Sequence, residues 1–579
     1  MSKTPNYDAK VKAILDTVQP GERVCALTGE KWEMTEEEIG WYKKFNVPPH
    51  PWSPETRMKE VVGYFEMYQF WYRTHPKTGK RFVSTVHPST GLQTLPDEEW
   101  FGEDFSHIVQ DVIHLERSFF EQMRELQLKI PYPASRNIEQ PHNSITISSI
   151  GDVNSYFVCA CKSKNSFYST DTYMLEDSAE SSAGSNISSS FRILQSHRMH
   201  NCKFAHICFD CIDSLFLFDC RNCQKCFGAT NKRNKQYLWF NEQLSKSEYE
   251  KRLAEVDLSR RSELEKYKAR FLDLMERNTV WPENFNEKCT DVIGEYMVNA
   301  VDCKFVFAGM NGPYRDLYHV SYPYGECSAC AFSGAPMSAS EIYLCNIAPR
   351  CAKCAFSYSI QDCQSVEYCY YCYNCEDCFG CFGLQRKRFC LFNKQYTEEE
   401  YYAKLDEVKV AMLERGEYGM FFPASFFVGY WPDGGVVQYP ETAARNEDFH
   451  PLDFEPESGG AVGEIDESKL RSTNDVPDCI DDMKDEDWLG VPIYDANIKR
   501  RFSYLKPELD FYRKHRLAPP TSHFIDRVYS FWREANSEVW KETTCGKCAK
   551  ALLVTINQTY RKRTIYCRPC YLEYLEKNS

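Results

Sequence analysis

Two regular spacings of cysteine constrain this chain more than any other feature. Residues 368–383 read YCYYCYNCEDCFGCFG and place Cys369, Cys372, Cys375, Cys378 and Cys381 three apart. A longer series, Cys345, Cys354, Cys363, Cys372, Cys381 and Cys390, is spaced by nine, as are Cys202, Cys211 and Cys220. Neither a helix nor a lone sheet has a nine-residue period. A β-solenoid generates one when a coil of about eighteen residues has two equivalent sides, its coils stacking at about 4.8 Å. Identical side chains then form ladders up the core, and small ones pack there without voids. Cysteine behaves as a small buried hydrophobe. The intervening text, such as NSYFVCACKSKNSFYSTDTYMLEDS, supplies aromatic and β-branched residues for strands and Asn, Asp and Ser for corners.

A metal cluster is the rival reading, because C-x-x-C units build zinc and iron–sulfur sites. The earlier series keeps Cys220, Cys223 and Cys226 but has Ala229 where the later one has Cys381, so the two cannot hold the same four-thiolate cluster. In a straight strand, residues i and i+3 also face opposite ways. Buried thiol ladders are the leading expectation. A central metal site, or redox-active or catalytic cysteines, remains open, although no repeated His or Lys stands by to activate a thiol.

Two duplications organise the chain. Residues 202–253 match those 152 further on: Cys202 with Cys354, Cys211 with Cys363, Cys220 with Cys372 and Asn241 with Asn393. Each copy runs into a helical pattern behind a capping box, Ser245-x-x-Glu248 or Thr397-x-x-Glu400. Residues 38–86 match those 470 further on, Trp41-Tyr42 with Phe511-Tyr512 and Arg57 with Arg527. The expected fold is mainly β with helices, a duplicated, parallel β-helix-like β-solenoid core flanked by two related helix-plus-zinc-ribbon-like end modules. The expected domains are a degenerate zinc-ribbon-like end module with helices at 1–135, solenoid halves at 136–241 and 281–396, and a helical connector at 242–280. A helix at 397–420, an acidic linker at 421–490 and a helix plus zinc ribbon at 491–579 complete them. Residues 441–490 hold 16 acidic and 4 basic side chains.

Residues 545–570, CGKCAKALLVTINQTYRKRTIYCRPC, read C-x2-C, eighteen residues, C-x2-C. Each pair makes a knuckle offering two thiolates, and the hairpin between them closes a tetrahedral S4 shell. Cys545, Cys548, Cys567 and Cys570 are therefore the expected ligands of a structural Zn2+. Mapped by 470, these positions become His75, Thr78, Asp97 and Trp100, so the N-terminal copy reads as a fold that has lost its metal.

Charged residues make up 26% of the 579 and aromatics 15%, a globular composition. The opening MSKTPNYDAK has no apolar core of a signal sequence, and no apolar run approaches membrane-spanning length. Twenty-eight cysteines without export imply free thiols or metal ligands in a reducing, cytoplasmic setting. The net charge is −14, yet residues 494–579 hold 17 Lys and Arg against 9 Asp and Glu. That part carries +8, leaving −22 for the rest. Arg561, Lys562, Arg563 and Arg568, interleaved with Tyr560, Tyr566 and Tyr571, form a candidate RNA or DNA contact on the ribbon. A solvated surface explains them equally well.

The segment CFGCFGLQRKRFCLFNKQYTEEEY, with the proline segment around Arg527 and the terminal pair of C-x-x-C units, resembles an uncharacterised cysteine-rich, zinc-ribbon-containing protein family of candidate-phyla bacteria. The resemblance implies architecture and zinc and carries no activity with it. The chain departs from the pattern in CFGATNKRNKQYLWFNEQL, which lacks two of its cysteines.

No nucleotide-binding glycine loop, nucleophile elbow or H-E-x-x-H appears. His197, His200 and His206 could join Cys202 or Cys208 at a metal, or be ordinary polar positions. Asp171, Glu176, Asp177, Asp210, Asp213 and Asp219 could line a carbohydrate-processing face, or be solvated corners. The reading that takes in most features is a non-enzymatic zinc-containing β-solenoid scaffold or adaptor binding a protein or nucleic acid, with no membrane contact. The alternatives are an RNA- or DNA-binding protein acting through the basic ribbon, and a redox or metal enzyme using the central cysteines.

Overall fold

The computed structural model describes residues 2–66, 70–429, 435 and 467–579. It is a mixed α/β molecule with two large sheets, of twelve and ten strands, whose pairing is parallel except for a short antiparallel end strand in each. The chain closes into two compact units that interleave in sequence. Met1–Gln69, Arg73–Ala134 and Asn286–Phe454 form one; Phe70–Tyr72, Ser135–Phe285 and Glu455–Ser579 form the other. The N-terminal module thus shares a unit with the second cysteine-rich half, and the C-terminal module with the first.

In both halves each stretch of chain lies parallel on the next, and the register is twelve residues. Ala179 pairs with Phe191, Lys203 with Leu215, and Leu215 with Phe227. In the second half Ser340 pairs with Ala352, Gln364 with Glu376, and Glu376 with Arg388. The earliest rungs are less regular, at eleven residues in the first half and eleven to fourteen in the second. The observed register between parallel strands is therefore twelve residues, not the eighteen expected for a two-sided coil.

The backbone explains why. From Tyr168 to Tyr237, and again from Ala329 to Phe392, every third residue adopts the left-handed conformation. The chain turns after each three residues, so twelve residues make four short sides. Cysteines three or nine apart then all point inward, on successive sides or on a diagonal up the stack. Opposite facing of residues i and i+3 holds for a straight strand, and these strands bend at every third residue.

A left-handed residue with a side chain costs about 1–2 kcal/mol. Asn and Asp, which tolerate the conformation best, fill many of the corners, as at Asn201, Asp210, Asp213, Asp219 and Asn222. The inward residue after each corner gives further support. Its thiol or hydroxyl donates to the carbonyl two residues back: Ser214 to Ile212 at 2.8 Å, Cys202 to His200 at 3.3 Å, Cys381 to Phe379 at 3.4 Å. A serine oxygen in this position also accepts the N–H of the next rung, as Ser214 does from Cys226. Small side chains with one donor are therefore what this interior needs. The cores contain Cys208, Cys211, Cys220, Cys223 and Cys226 in one unit and Cys363, Cys369, Cys372, Cys375, Cys378 and Cys381 in the other, all buried.

Helices close each stack. Thr397 caps Glu398–Glu414 with a full reciprocal capping box. Ser245 accepts the N–H of Glu248 ahead of Lys246–Ala254, without the return bond expected there. The connector ends in Arg261–Asn278. The two described ends of the acidic stretch each bury apolar side chains, while Ser472, Asn474 and Asp475 stay exposed. Phe421, Phe422, Phe426 and Val428 are buried at its start, and Val476, Ile480, Met483 and Trp488 at its end. Residues 436–466, the middle of the expected linker, lie outside the described residues.

Candidate metal centre

The strands Asn536–Thr544 and Ala551–Asn557 pair antiparallel, and the turn between them holds Cys545 and Cys548. The Cys545 N–H bonds the Lys550 carbonyl at 2.8 Å, and the Ala549 N–H returns to the Cys545 carbonyl at 2.9 Å, with Ala549 left-handed. This knuckle turns its N–H groups toward the sulfurs. The other two thiols come from a helix start: Cys567 is the N-cap of Arg568–Asn578 and Cys570 lies in its first turn. The Gly546 N–H joins the halves through the Ile565 carbonyl at 2.8 Å.

The four sulfurs lie within 4.8 Å of one another. Cys548 and Cys567 are 3.6 Å apart, against about 3.8 Å in a tetrahedral shell with metal–sulfur bonds of about 2.3 Å. The Cys567 N–H points at the Cys545 sulfur at 3.2 Å. Against the opposing effect of burial, the N–H groups of Cys567, Cys548 and Lys547 hold the Cys545 thiol down to about 6. Four convergent thiols, with a helix N-terminus and backbone donors behind them, fit a metal ion. Among the described residues this is the group that could hold one.

The same turn-and-helix frame recurs three times with other side chains. At Cys25 the N–H bonds Glu30 at 2.8 Å and Gly29 returns at 2.9 Å; at His75 the partners are Lys80 at 2.8 Å and Gly79 at 3.0 Å. At Asp495 the strands Ile493–Asp495 and Arg500–Phe502 enclose a turn with left-handed Lys499. Each turn faces a helix start. Ser53 and Thr56 face Cys25, whose thiol lies 3.6 Å from the Thr56 hydroxyl. The His523 N–H bonds Asp495 at 2.9 Å, as the Cys567 N–H does Cys545. His75 Nε2 lies 2.8 Å from Glu99, three residues beyond the N-cap Pro96. Cys567 and Cys570 therefore correspond to Pro96 and Glu99, one residue before the expected Asp97 and Trp100. Where the C-terminal knuckle offers thiols, these three close with hydrogen bonds.

The turns at Cys25 and Asp495 escaped the sequence reading. Their signal is the kinship of CALTGEK with HPKTGKR and the same 470-residue offset, which carries Cys25 to Asp495 and Ser53 to His523.

The basic residues of the ribbon divide. Arg561 and Lys562 are exposed, whereas Arg563 and Arg568 are half-buried. The Arg563 guanidinium lies over the Trp281 ring at 5.1 Å and donates to the Thr555 carbonyl at 2.5 Å. Tyr560 and Tyr571 are buried and spent on packing, with Tyr571 bonded to Asp219 and Asn231. A stacking platform made of these tyrosines does not exist in this form.

Burial pushes the central thiols of Cys202 and Cys303 up to about 12 and raises those of Cys208, Cys330 and Cys369 well above the ordinary thiol value. Cys223 and Cys375 go the other way, each receiving S–H contacts from three neighbouring cysteines. The carboxylates of the first stack are engaged: Asp177 with Lys514 and His515, Asp210 with Arg198, Asp213 with Asn201, Asp219 with Arg233. His197 and His200 accept or donate to Ser185 and Ser188 at 2.8 and 2.9 Å, and no metal-holding group includes them among the described residues. No described helix is long and apolar enough to cross a membrane. Compared with protein-family models, curated proteins and solved structures, the chain has no match.

Proposed function

We propose that this chain is a non-enzymatic, zinc-containing β-solenoid scaffold that binds a macromolecular partner in the cytoplasm. The observation that carries the reading is the outer surface of the twelve-residue coils. Polar side chains repeat from rung to rung and bond along the stack: Asn222 to Asn234 at 2.7 Å, Gln236 to Gln224 at 3.3 Å and, on an earlier eleven-residue rung, Asn143 to Asn154 at 2.9 Å. Such ladders present amide donors and acceptors at the rung spacing of about 4.8 Å, a rigid template for a partner with regularly placed polar groups. Zinc is the metal assigned to Cys545, Cys548, Cys567 and Cys570, because an all-thiolate shell leaves no position for a substrate and supports folding of the hairpin.

The test is co-purification from the native cell with the wild-type chain and with Asn222→Glu/Asn234→Glu. The reading requires a partner that the wild type retains and the double variant loses. Equal recovery by both removes the ladder from the interface. Metal analysis should give one zinc per chain and no visible absorption; iron with sulfide would favour the redox reading. A second reading, an RNA contact, is favoured by the exposure of Arg561 and Lys562 alone. It calls for a salt-dependent RNA shift that Arg561→Glu/Lys562→Glu abolishes.

A further inference from the structure

We infer that the unit formed around Ser135–Phe285 and Glu455–Ser579 binds a nucleotide in a pair of adjoining cavities, independently of the scaffold role. The wider cavity is about 380 Å³ and the narrower about 190 Å³, and both are lined by Arg192, Lys268 and Ser530.

The two differ in chemistry. Phe204, Phe216, Phe271 and Tyr560 wall the wider one. Phe204 and Phe216 stack at 4.7 Å, and Phe271 tilts against Phe216 at 5.7 Å. His206 also lines this cavity. It is 7% exposed, and its Nε2 is buried with no hydrogen-bond partner. Burial keeps the imidazole neutral, so it can give or take one hydrogen bond from a flat polar ring. A buried unpaired ring nitrogen is destabilising unless something bonds it.

The narrower cavity is lined by Arg192, Lys268 and Arg527, which Glu180, Glu534, Glu265 and Glu508 hold in ion pairs, and by Arg261, whose Nε is buried with no hydrogen-bond partner. Tyr512, 1% exposed, presents a buried hydroxyl there that also lacks a partner. Aromatic walls with one ring-edge partner, next to a recess where the Arg261 Nε and the Tyr512 hydroxyl are unpartnered donors, match a planar base joined to a phosphate. The wider cavity alone falls within the range of about 300–1,000 Å³ usual for small-ligand sites.

Calorimetry on the full, zinc-replete chain with AMP, GMP and UMP tests this, with adenosine and inorganic phosphate as half-ligands and a 5′-phosphorylated RNA decamer as the macromolecular source of the same group. At least one mononucleotide should bind, and each half-ligand should bind at least tenfold more weakly. Lys268→Glu, on a half-buried side chain, should weaken the mononucleotide at least tenfold. His206→Leu should weaken it several-fold while inorganic phosphate is unaffected. Circular dichroism and zinc content establish that each variant is folded. No mononucleotide binding at millimolar concentration, equal affinity in Lys268→Glu, or binding of the decamer without any mononucleotide overturns the proposal.

Discussion

Arg57 and Arg527 stand at equivalent positions of the two units, each buried in a helix of an end module, and they are neutralised differently. Arg57 pairs with Glu38 of its own module and lies 3.7 Å from the centre of the Phe332 ring. Arg527 reaches Glu180 at 2.8 Å and Glu508 at 3.6 Å. Glu508 is Glu38 displaced by 470, and Phe332 is Glu180 displaced by 152. The inner partner has thus been kept and the partner on the coils exchanged, a carboxylate in one unit for an aromatic face in the other. The knuckles diverge in the same manner. The C-terminal one converges four thiols, while the His75 turn closes on Glu99 by a charge-assisted bond. Both contrasts teach that the frame tolerates a change of chemistry: a ring face stands in for a carboxylate although the Arg57 Nε and Nη1 are then buried without a hydrogen-bond partner, and a hydrogen-bonded pair stands in for thiols.

The largest effect that would break this comparison is loss of the metal. Cys567→Ser, or chelation, should release one zinc per chain and collapse hydrogen-exchange protection across 536–570. Apparent metal contributions in small zinc modules are about 10–16 kcal/mol. His75→Ala should leave protection around 73–99 largely intact, with a loss of about 1–2 kcal/mol. If both variants lost protection equally, the His75 turn would need a metal as well. The converse sharpens the point: His75→Cys, Thr78→Cys, Pro96→Cys and Glu99→Cys together should raise the zinc content from one to two.

Next in size come the arginines. Removing one partner of a buried pair costs about 3–5 kcal/mol. Arg527→Ala takes a cation from two carboxylates, Glu508 and Glu180, of which Glu180 keeps Arg192 at 3.0 Å, and Arg57→Ala takes one from Glu38 alone, so Arg527→Ala should be the more destabilising. Denaturant titration followed by exchange in Pro54–Gly63 and Phe524–Trp532 checks the order. Equal losses would show that Glu180 contributes little to holding Arg527.

Much of this was legible in sequence. Cysteine spacing announced an interior of stacked small side chains, and the C-x2-C pairs announced the metal group. The offsets of 152 and 470 gave the two repeats. What could not be read was the number of sides of a coil, because nine is three sides of a four-sided coil as well as half of a two-sided one. The deciding fact is a left-handed residue at every third position, which Phe204, Phe216 and Arg198 adopt as readily as Asn201. Composition therefore hides it. The interleaving of modules and halves was hidden for another reason: neither duplication says which module contacts which stack. Linear order favoured neighbours, and the buried contacts of Arg57 with Phe332 and Arg527 with Glu180 decided otherwise.

Substitutions inside the stacks probe the four-sided coil at smaller cost. Cys372 donates to the Tyr370 carbonyl at 3.7 Å, and serines fill the same kind of position elsewhere, at Ser214 and Ser357. Cys372→Ser should therefore change stability by less than about 1 kcal/mol. Cys372→Leu forces two extra carbons into a closed interior and should cost about 1–3 kcal/mol. A tolerated leucine would mean that the core is roomier than a twelve-residue coil allows. Both variants should be read by denaturant midpoint.

The smallest contrast lies at the helix starts that close the stacks. Thr397 accepts the N–H of Glu400, and the Glu400 carboxylate bonds back to the Thr397 N–H at 3.1 Å, so two helix donors are satisfied at once. Ser245 satisfies one. N-cap losses average about 1 kcal/mol. Thr397→Ala should approach that figure, because it removes the hydroxyl and loosens the glutamate held against it. Ser245→Ala should fall below it, the more so as Arg252 holds Glu248 at 3.1 Å in either case. Equal losses would mean that the return bond of Glu400 adds nothing, and that the difference between the two closing helices is geometric only.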